Sequence, residues 1–67
     1  MQILRLPKRH YKTAVESAKR TGRTVDAHLH GLAVRRNRGA NRDVPTIVII
    51  EDNGNPIASF NVQGGEH

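Results

Sequence analysis

A basic corner at residues 19–25 most constrains how this chain can fold, because two periodic segments meet there. Gly22 can end a helix at this point, since glycine adopts a positive φ without a Cβ clash. Thr24 can start the next helix, since its hydroxyl can accept a hydrogen bond from a free N–H of the first turn. The sequence therefore predicts a helix, a tight corner and a second helix.

The two predicted helices each carry a weak apolar stripe. The first begins at Pro7 or Lys8 and ends at Thr21, and the second covers 25–36. Apolar residues in both recur with the i, i+3, i+4, i+7 spacing of one helix face. The stripes consist of Tyr11, Ala14, Val15 and Ala18 in the first helix, and of Val25, Leu29, Leu32 and Ala33 in the second. Because half of the first stripe is alanine, that helix needs a partner helix close by.

A short strand is predicted ahead of the helices, over residues 2–6. Leu4 and Leu6 share one of its faces, and Ile3 and Arg5 share the other. Pro7 ends the strand, since proline has no N–H to donate and suits the first turn of a helix. A single strand of this length must pair, either with the C-terminal segment or with the same strand of a second chain.

A β-hairpin is predicted after the helices, with strands at 46–51 and 57–62. Asn53-Gly54 is a strong signal for a type I′ turn between them. Closing the turn there pairs Ile49 with Ala58. The same register pairs Ile47 with Phe60 and places on the other face Val48, Ile50, Ile57 and Ser59. Both faces are therefore apolar, which indicates a hairpin that is covered on more than one side or that binds a partner. Pro56 indicates an edge strand.

The chain is one small domain with a divided charge. It has 67 residues and no cysteine, so oligomerisation is the usual remedy for its thin core. All eleven Lys and Arg lie in residues 1–42, where only Glu16 and Asp26 oppose them, which leaves +9. Residues 43–67 have four carboxylates and no Lys or Arg, which gives −4 and returns the net +5. A polyanion is the natural partner of the basic part.

Several classes of function are disfavoured by what the sequence lacks. It has no membrane-length apolar run and no signal-peptide pattern, so we expect a cytoplasmic protein. His28 and His30 are two apart on a helix and point away from each other, so no metal site is expected. No phosphate loop, cofactor motif or catalytic serine context is present. We therefore expect neither an enzyme nor a cofactor.

The first half of the chain resembles the ribbon-helix-helix family, specifically its Arc repressor-like members. The resemblance covers about residues 1–36, the predicted ribbon-helix-helix unit. It depends on residues 4–8, on 22–25 fifteen residues beyond the proline, and on Leu29 and Ala33-Val34. It implies an α+β fold: an intertwined homodimer whose N-terminal strands form a ribbon in the DNA major groove. A basic linker at 37–43, the hairpin at 44–63 and a frayed tail at 64–67 would follow.

The same resemblance implies which residues contact DNA. Met1, Ile3 and Arg5 take the base-reading positions, and only Arg5 is a strong hydrogen-bonding reader. The start of the second helix, at Arg23, Thr24 and Val25, would hold a backbone phosphate, as free N–H groups at a helix N-terminus do. Further phosphate contacts are expected from Lys8, Arg9 and Lys12. The implied function is a small transcriptional repressor of the kind that phages and plasmids encode.

Two alternatives remain open. In the first, the hairpin is a protein-binding module, as in an antitoxin or a phage inhibitor of a host protein, and uses Val48, Ile50 and Ile57. In the second, the N-terminal strand joins the hairpin in one three-stranded sheet, with the helices packed on one face. The second alternative makes a monomeric α+β domain and removes the ribbon between two chains.

Overall fold

The described part of the chain, residues 2–37, 41 and 43–63, forms a small α+β fold in a computed structural model. Its elements are β1 (Gln2–Pro7), α1 (Lys8–Thr21), α2 (Val25–Arg36), β2 (Thr46–Asp52) and β3 (Asn55–Val62). The strands form one sheet in the order β1-β2-β3. Of the predicted linker and tail, residues 38–40, 42 and 64–67 lie outside the described residues, as does Met1.

The corner between the helices forms as its residues predict. Gly22 ends α1 in the left-handed region, with φ of 74°. The Gly22 and Arg23 N–H groups donate to the carbonyls of Lys19 and Ala18, which satisfies the last turn of α1. Thr24 is the N-cap of α2, and its hydroxyl accepts from the Ala27 N–H at 3.1 Å. The predicted bounds of both helices are confirmed.

β1 finds its partner within its own chain. It runs parallel to β2 from Gln2 opposite Thr46 to Pro7 opposite Glu51. Parallel neighbours need a long crossover, and α1 with α2 supplies it. The structure therefore adopts the three-stranded sheet. The edge of β1 that faces β2 is paired within the chain, so it does not pair with a second chain. The sheet also joins the predicted units 1–36 and 44–63 into one folded unit.

The core lies between the sheet and the helices. Alternate residues of the strands turn towards α1 and α2 and are buried. The buried cluster consists of Leu4, Leu6, Ala14, Leu29, Ala33, Val48, Ile50 and Val62. Tyr11 and Phe60 pack at its margin, with ring centroids 6.1 Å apart in an edge-on contact. Both helices cover one face of the sheet, so the face that carries Ile3 and Arg5 is open.

A two-residue turn joins β2 to β3 where the sequence predicts it, but the predicted register is wrong by one residue. Asn53 and Gly54 have φ of 53° and 83°, as a type I′ turn requires. The register then shifts between Ile50 and Glu51, which leaves Ile57 as an extra residue in β3. A bulge is one of the few places where a strand accepts a proline, and Pro56 lies beside it.

The shift changes which residues face each other across the two strands. Ile49 lies opposite Ser59 and Val48 lies opposite Phe60. Val48 and Phe60 therefore share the face that the helices cover. As Pro56 indicated, β3 is an edge strand.

Candidate nucleic-acid interface

Of the three predicted base-reading positions, the two that the structure describes lie on the open face of the sheet. Ile3 is 50% exposed, and the Arg5 side chain is 66% exposed. Arg5 Nε lies 3.2 Å from Glu51 Oε2, so the guanidinium has a carboxylate partner on the neighbouring strand. An ion pair this exposed contributes about 0–1 kcal/mol. Arg5 can therefore exchange Glu51 for another acceptor at little cost.

The N-terminus of α1 is a cationic surface with free backbone donors. Pro7 precedes the helix without a side-chain cap, and the first turn has no acidic residue. Its N–H groups, with the positive end of the helix dipole, are therefore available to an anion. Lys8, Arg9 and Lys12 are all exposed there. They line one side of a cleft of about 510 Å³, and the turn at 51–54 lines the other.

The N-terminus of α2 offers less to an anion. The Thr24 hydroxyl already accepts from Ala27, and the Arg23 N–H already donates to Ala18. The half-buried Val25 contributes an N–H of the first turn, but Asp26 places a carboxylate in the same turn. The predicted contacts at Arg23, Thr24 and Val25 therefore rest on fewer free groups than those at the start of α1.

The structure does not gather the predicted phosphate-binding residues into one patch. Lys8, Arg9 and Lys12 lie at the start of α1, whereas Arg23 and Thr24 follow its end. A helix of 14 residues is about 21 Å long at 1.5 Å per residue. The two groups therefore lie at opposite ends of α1 and call for two distinct contact points on a nucleic acid.

Two of the three residues predicted for protein binding are in the core. Val48 is fully buried and Ile50 is 5% exposed, because both turn towards the helices. That prediction is corrected: neither side chain is available to a partner. Ile57 is 53% exposed and, with Ile3, is one of the two exposed large hydrophobic residues among those described.

A buried polar cluster at the start of β2 was not predicted. His30 and Thr46 are both buried, and His30 Nδ1 lies 3.0 Å from Thr46 Oγ1. Gln2 Nε2 donates to Thr46 Oγ1 at 3.1 Å and to the Val44 carbonyl at 3.2 Å. The cluster fixes α2, β1 and β2 to one another. Its one sequence signal is that His30 lies three residues before Ala33, on the apolar stripe of α2.

A groove between α1 and α2 has two histidines in its lining. His10 and His28 are among the residues around this space of about 340 Å³, beside Leu6 and Leu32. Across the described residues, no three histidine, aspartate or glutamate side chains come together as a metal-ligand set. Within the same ranges, no helix has the length and apolar character needed to cross a membrane.

Comparison with protein-family models, with curated proteins and with solved structures finds no match to this chain.

Proposed function

We propose that the protein is a small DNA-binding regulator that contacts duplex DNA through exposed cations on its helices and its first strand. One observation carries the proposal: every lysine and arginine among the described residues is exposed, and only Arg5 has an ion-pair partner there. Solvated cations of this kind are free to replace the counterions that surround a phosphate backbone. The hairpin has no Lys or Arg, so the cationic side chains of the described residues all lie between positions 5 and 36.

The start of α1 supports the strongest phosphate contact in this proposal. Three cationic side chains and the free N–H groups of the first turn face the same solvent there. Asp52 on the facing turn opposes them, which limits the local excess of charge. Arg5 on the open sheet face supplies, among the predicted base-reading positions, the side chain suited to reading a guanine edge. Phosphate contacts set affinity in this arrangement, and Arg5 sets what sequence preference there is.

The resemblance to ribbon-helix-helix proteins adds a homodimer and a repressor role to the proposal. Two copies double the number of phosphates neutralised, which suits a domain this small. A second copy has to join at an outer edge of the sheet, which is the edge of β1 for a ribbon between chains and otherwise the edge of β3. The inner edge of β1 is already paired with β2.

A salt titration tests the proposal. Replacing Lys8, Arg9 and Lys12 by glutamine removes three phosphate contacts per chain, so the slope of log K against log salt should become shallower by about 2.7 for each chain bound, or about 5.4 for a homodimer. The matched control replaces Lys19, Arg20 and Arg35, which are equally exposed, and should change the slope less. Binding of every duplex in the micromolar range or weaker at low salt ends the proposal. If both variants make the slope shallower by the same amount, the start of α1 is not the main phosphate contact.

A second candidate function, protein binding, is favoured by the exposed Ile57. An aliphatic side chain on an edge strand is a usual anchor for a partner strand or groove. In this alternative the chain is an antitoxin or a phage inhibitor of a host protein. Ile57→Ser separates the two functions, because it leaves every cation in place. If Ile57→Ser abolishes the activity of the protein in cells but leaves its affinity for DNA unchanged, that activity depends on a protein partner.

A further inference from the structure

The sheet has two outer edges, and the hydrogen-bond pattern shows which backbone groups point out from each. The Gln2 N–H donates to the Pro45 carbonyl, which fixes the alternation along the parallel pair. Ile47 and Ile49 therefore direct their backbone groups towards β1, and Val48 directs its own towards β3. Since Val48 lies opposite Phe60, the outward groups of β3 belong to the residues on either side of Phe60.

The edge of β1 is guarded against another strand. By the same alternation, Ile3, Arg5 and Pro7 point their backbone groups outwards. The Ile3 carbonyl accepts from Asn37 Nδ2 at 3.4 Å, and Pro7 has no N–H. Arg5 adds a charge in the middle of the strand. Charges, prolines and side-chain caps are the features by which natural sheets prevent edge pairing.

The edge of β3 is guarded only in its first half. Pro56 and the bulge at Ile57 interrupt that half. From Ala58 to Val62 the strand has no charge, no proline and no bulge. Ser59 and Asn61 are exposed and, by the alternation above, present their N–H and C=O groups to solvent. This is a short row of unpaired groups that can accept a further strand.

We propose that β3 pairs antiparallel with β3 of a second copy, about a two-fold axis at Phe60. In this register Ser59 lies opposite Asn61 of the second copy, and each of these two pairs exchanges both backbone hydrogen bonds. All four outward-pointing residues of the two strands are thereby satisfied, and the two sheets become one. The interface is isologous, as closed dimers require.

Phe60 is the apolar part of this interface. It is half-buried in one chain, in edge-on contact with Tyr11. The helices make few contacts with β3, and Ala58 on the same face remains exposed. At the two-fold axis the two Phe60 residues form a non-hydrogen-bonded pair, in which side chains approach most closely. The part of each ring that the helices leave open is then covered by its mate.

The charge distribution allows a second copy to pair at this edge. The chain carries +5 overall, so two copies repel wherever their cations meet. Residues 53–63 contain no charged side chain, so strands paired there bring no like charges together. The described cations of both copies belong to β1 and to the helical segment, so none lies on the paired strands. The inference stands on this edge and does not require that the protein bind DNA.

A charge exchange at the junction tests the inference without altering the core. Replacing Ser59 and Asn61 both by lysine places like charges opposite each other twice, since position 59 faces position 61 of the second copy. A variant with lysine in place of Ser59 and glutamate in place of Asn61 in the same chain instead places a lysine opposite a glutamate in both pairs. Both positions are exposed, so both variants should keep the fold, as circular dichroism can check.

The readout is mass by sedimentation equilibrium from micromolar to millimolar protein. The wild type should move from 7.5 kDa to twice that mass as concentration rises. The double-lysine variant should raise the dissociation constant at least about tenfold, equivalent to about 1.4 kcal/mol, and the lysine–glutamate variant should not. A wild type that stays monomeric, or equal effects of the two variants, overturns the inference. A dimer that only Arg5→Glu disrupts assigns the junction to β1 and overturns it as well.

Discussion

His30 Nδ1 and Thr46 Oγ1 lie 3.0 Å apart in the core and join α2 to the first residue of β2. Both residues are buried, at 1% and 0% exposure. Gln2 Nε2 donates to the same hydroxyl from β1, so Thr46 is the meeting point of three elements. A buried polar group is costly unless it is hydrogen-bonded, and a satisfied cluster specifies one arrangement of its elements. This cluster fixes the crossover that makes β1 and β2 neighbours.

Thr46→Val should lower the free energy of unfolding by about 1–3 kcal/mol. The change keeps the shape of the side chain but removes a hydroxyl from two buried or half-buried partners, which then lose a hydrogen bond. Thr13→Val is the matched control, because the one hydrogen bond of the Thr13 hydroxyl within the described residues goes to the Arg9 carbonyl on an exposed helix surface. Urea unfolding of both variants measures the difference. Equal losses of stability in the two variants would show that the hydrogen bonds of the buried cluster add nothing to the stability of the fold.

Ile50→Ala and Ile57→Ala should differ sharply although both residues lie in the hairpin. Ile50 is 5% exposed, so its truncation leaves a cavity and should cost about 2–5 kcal/mol. Ile57 is 53% exposed, so the same change there should cost less than about 1 kcal/mol. Thermal or urea unfolding measures both. A small loss of stability in Ile50→Ala would show that the hairpin is an accessory surface and not part of the core.

The helices and the corner could be predicted because their signals are local. Gly22 and Thr24 set the corner through their own backbone and side-chain preferences, without reference to the rest of the chain. The type I′ turn at Asn53-Gly54 is local in the same way. The register beyond it is not, because the bulge at Ile57 depends on how Pro56 is accommodated against Glu51.

The partner of β1 could not be derived from its residues. The alternation of Leu4 and Leu6 fits a strand that buries one face, whichever chain its neighbour belongs to. The hairpin is apolar on both faces, so its sequence does not show that Val48 faces the core. His30 was missed as a core residue because a polar type on an apolar stripe is ordinarily assigned to the surface. Each of these outcomes depends on contacts between distant segments.

Gly22→Ala and Gly31→Ala should change stability in opposite directions. Gly22 has φ of 74°, and apart from its chain neighbours no described residue has an atom within 4 Å of an added Cβ, so alanine there suffers backbone strain alone, about 1–2 kcal/mol. Gly31 lies inside α2, where alanine gains up to about 1 kcal/mol in helix propensity. The added Cβ would lie 3.9 Å from Arg23 Nη2, an ordinary contact. Melting temperatures of the two variants give the signs directly.

Glu51→Gln should strengthen DNA binding a few-fold at low salt while changing stability by less than about 1 kcal/mol. The substitution releases Arg5 from its exposed ion pair and removes one carboxylate from the cleft at the start of α1. Glu16→Gln is the control, because it makes the same change in net charge at an exposed position of α1 that has no ion-pair partner among the described residues. Fluorescence anisotropy with a labelled duplex measures both. If the two variants gain equally, only net charge matters; if Glu51→Gln weakens binding, Arg5 is not a DNA contact.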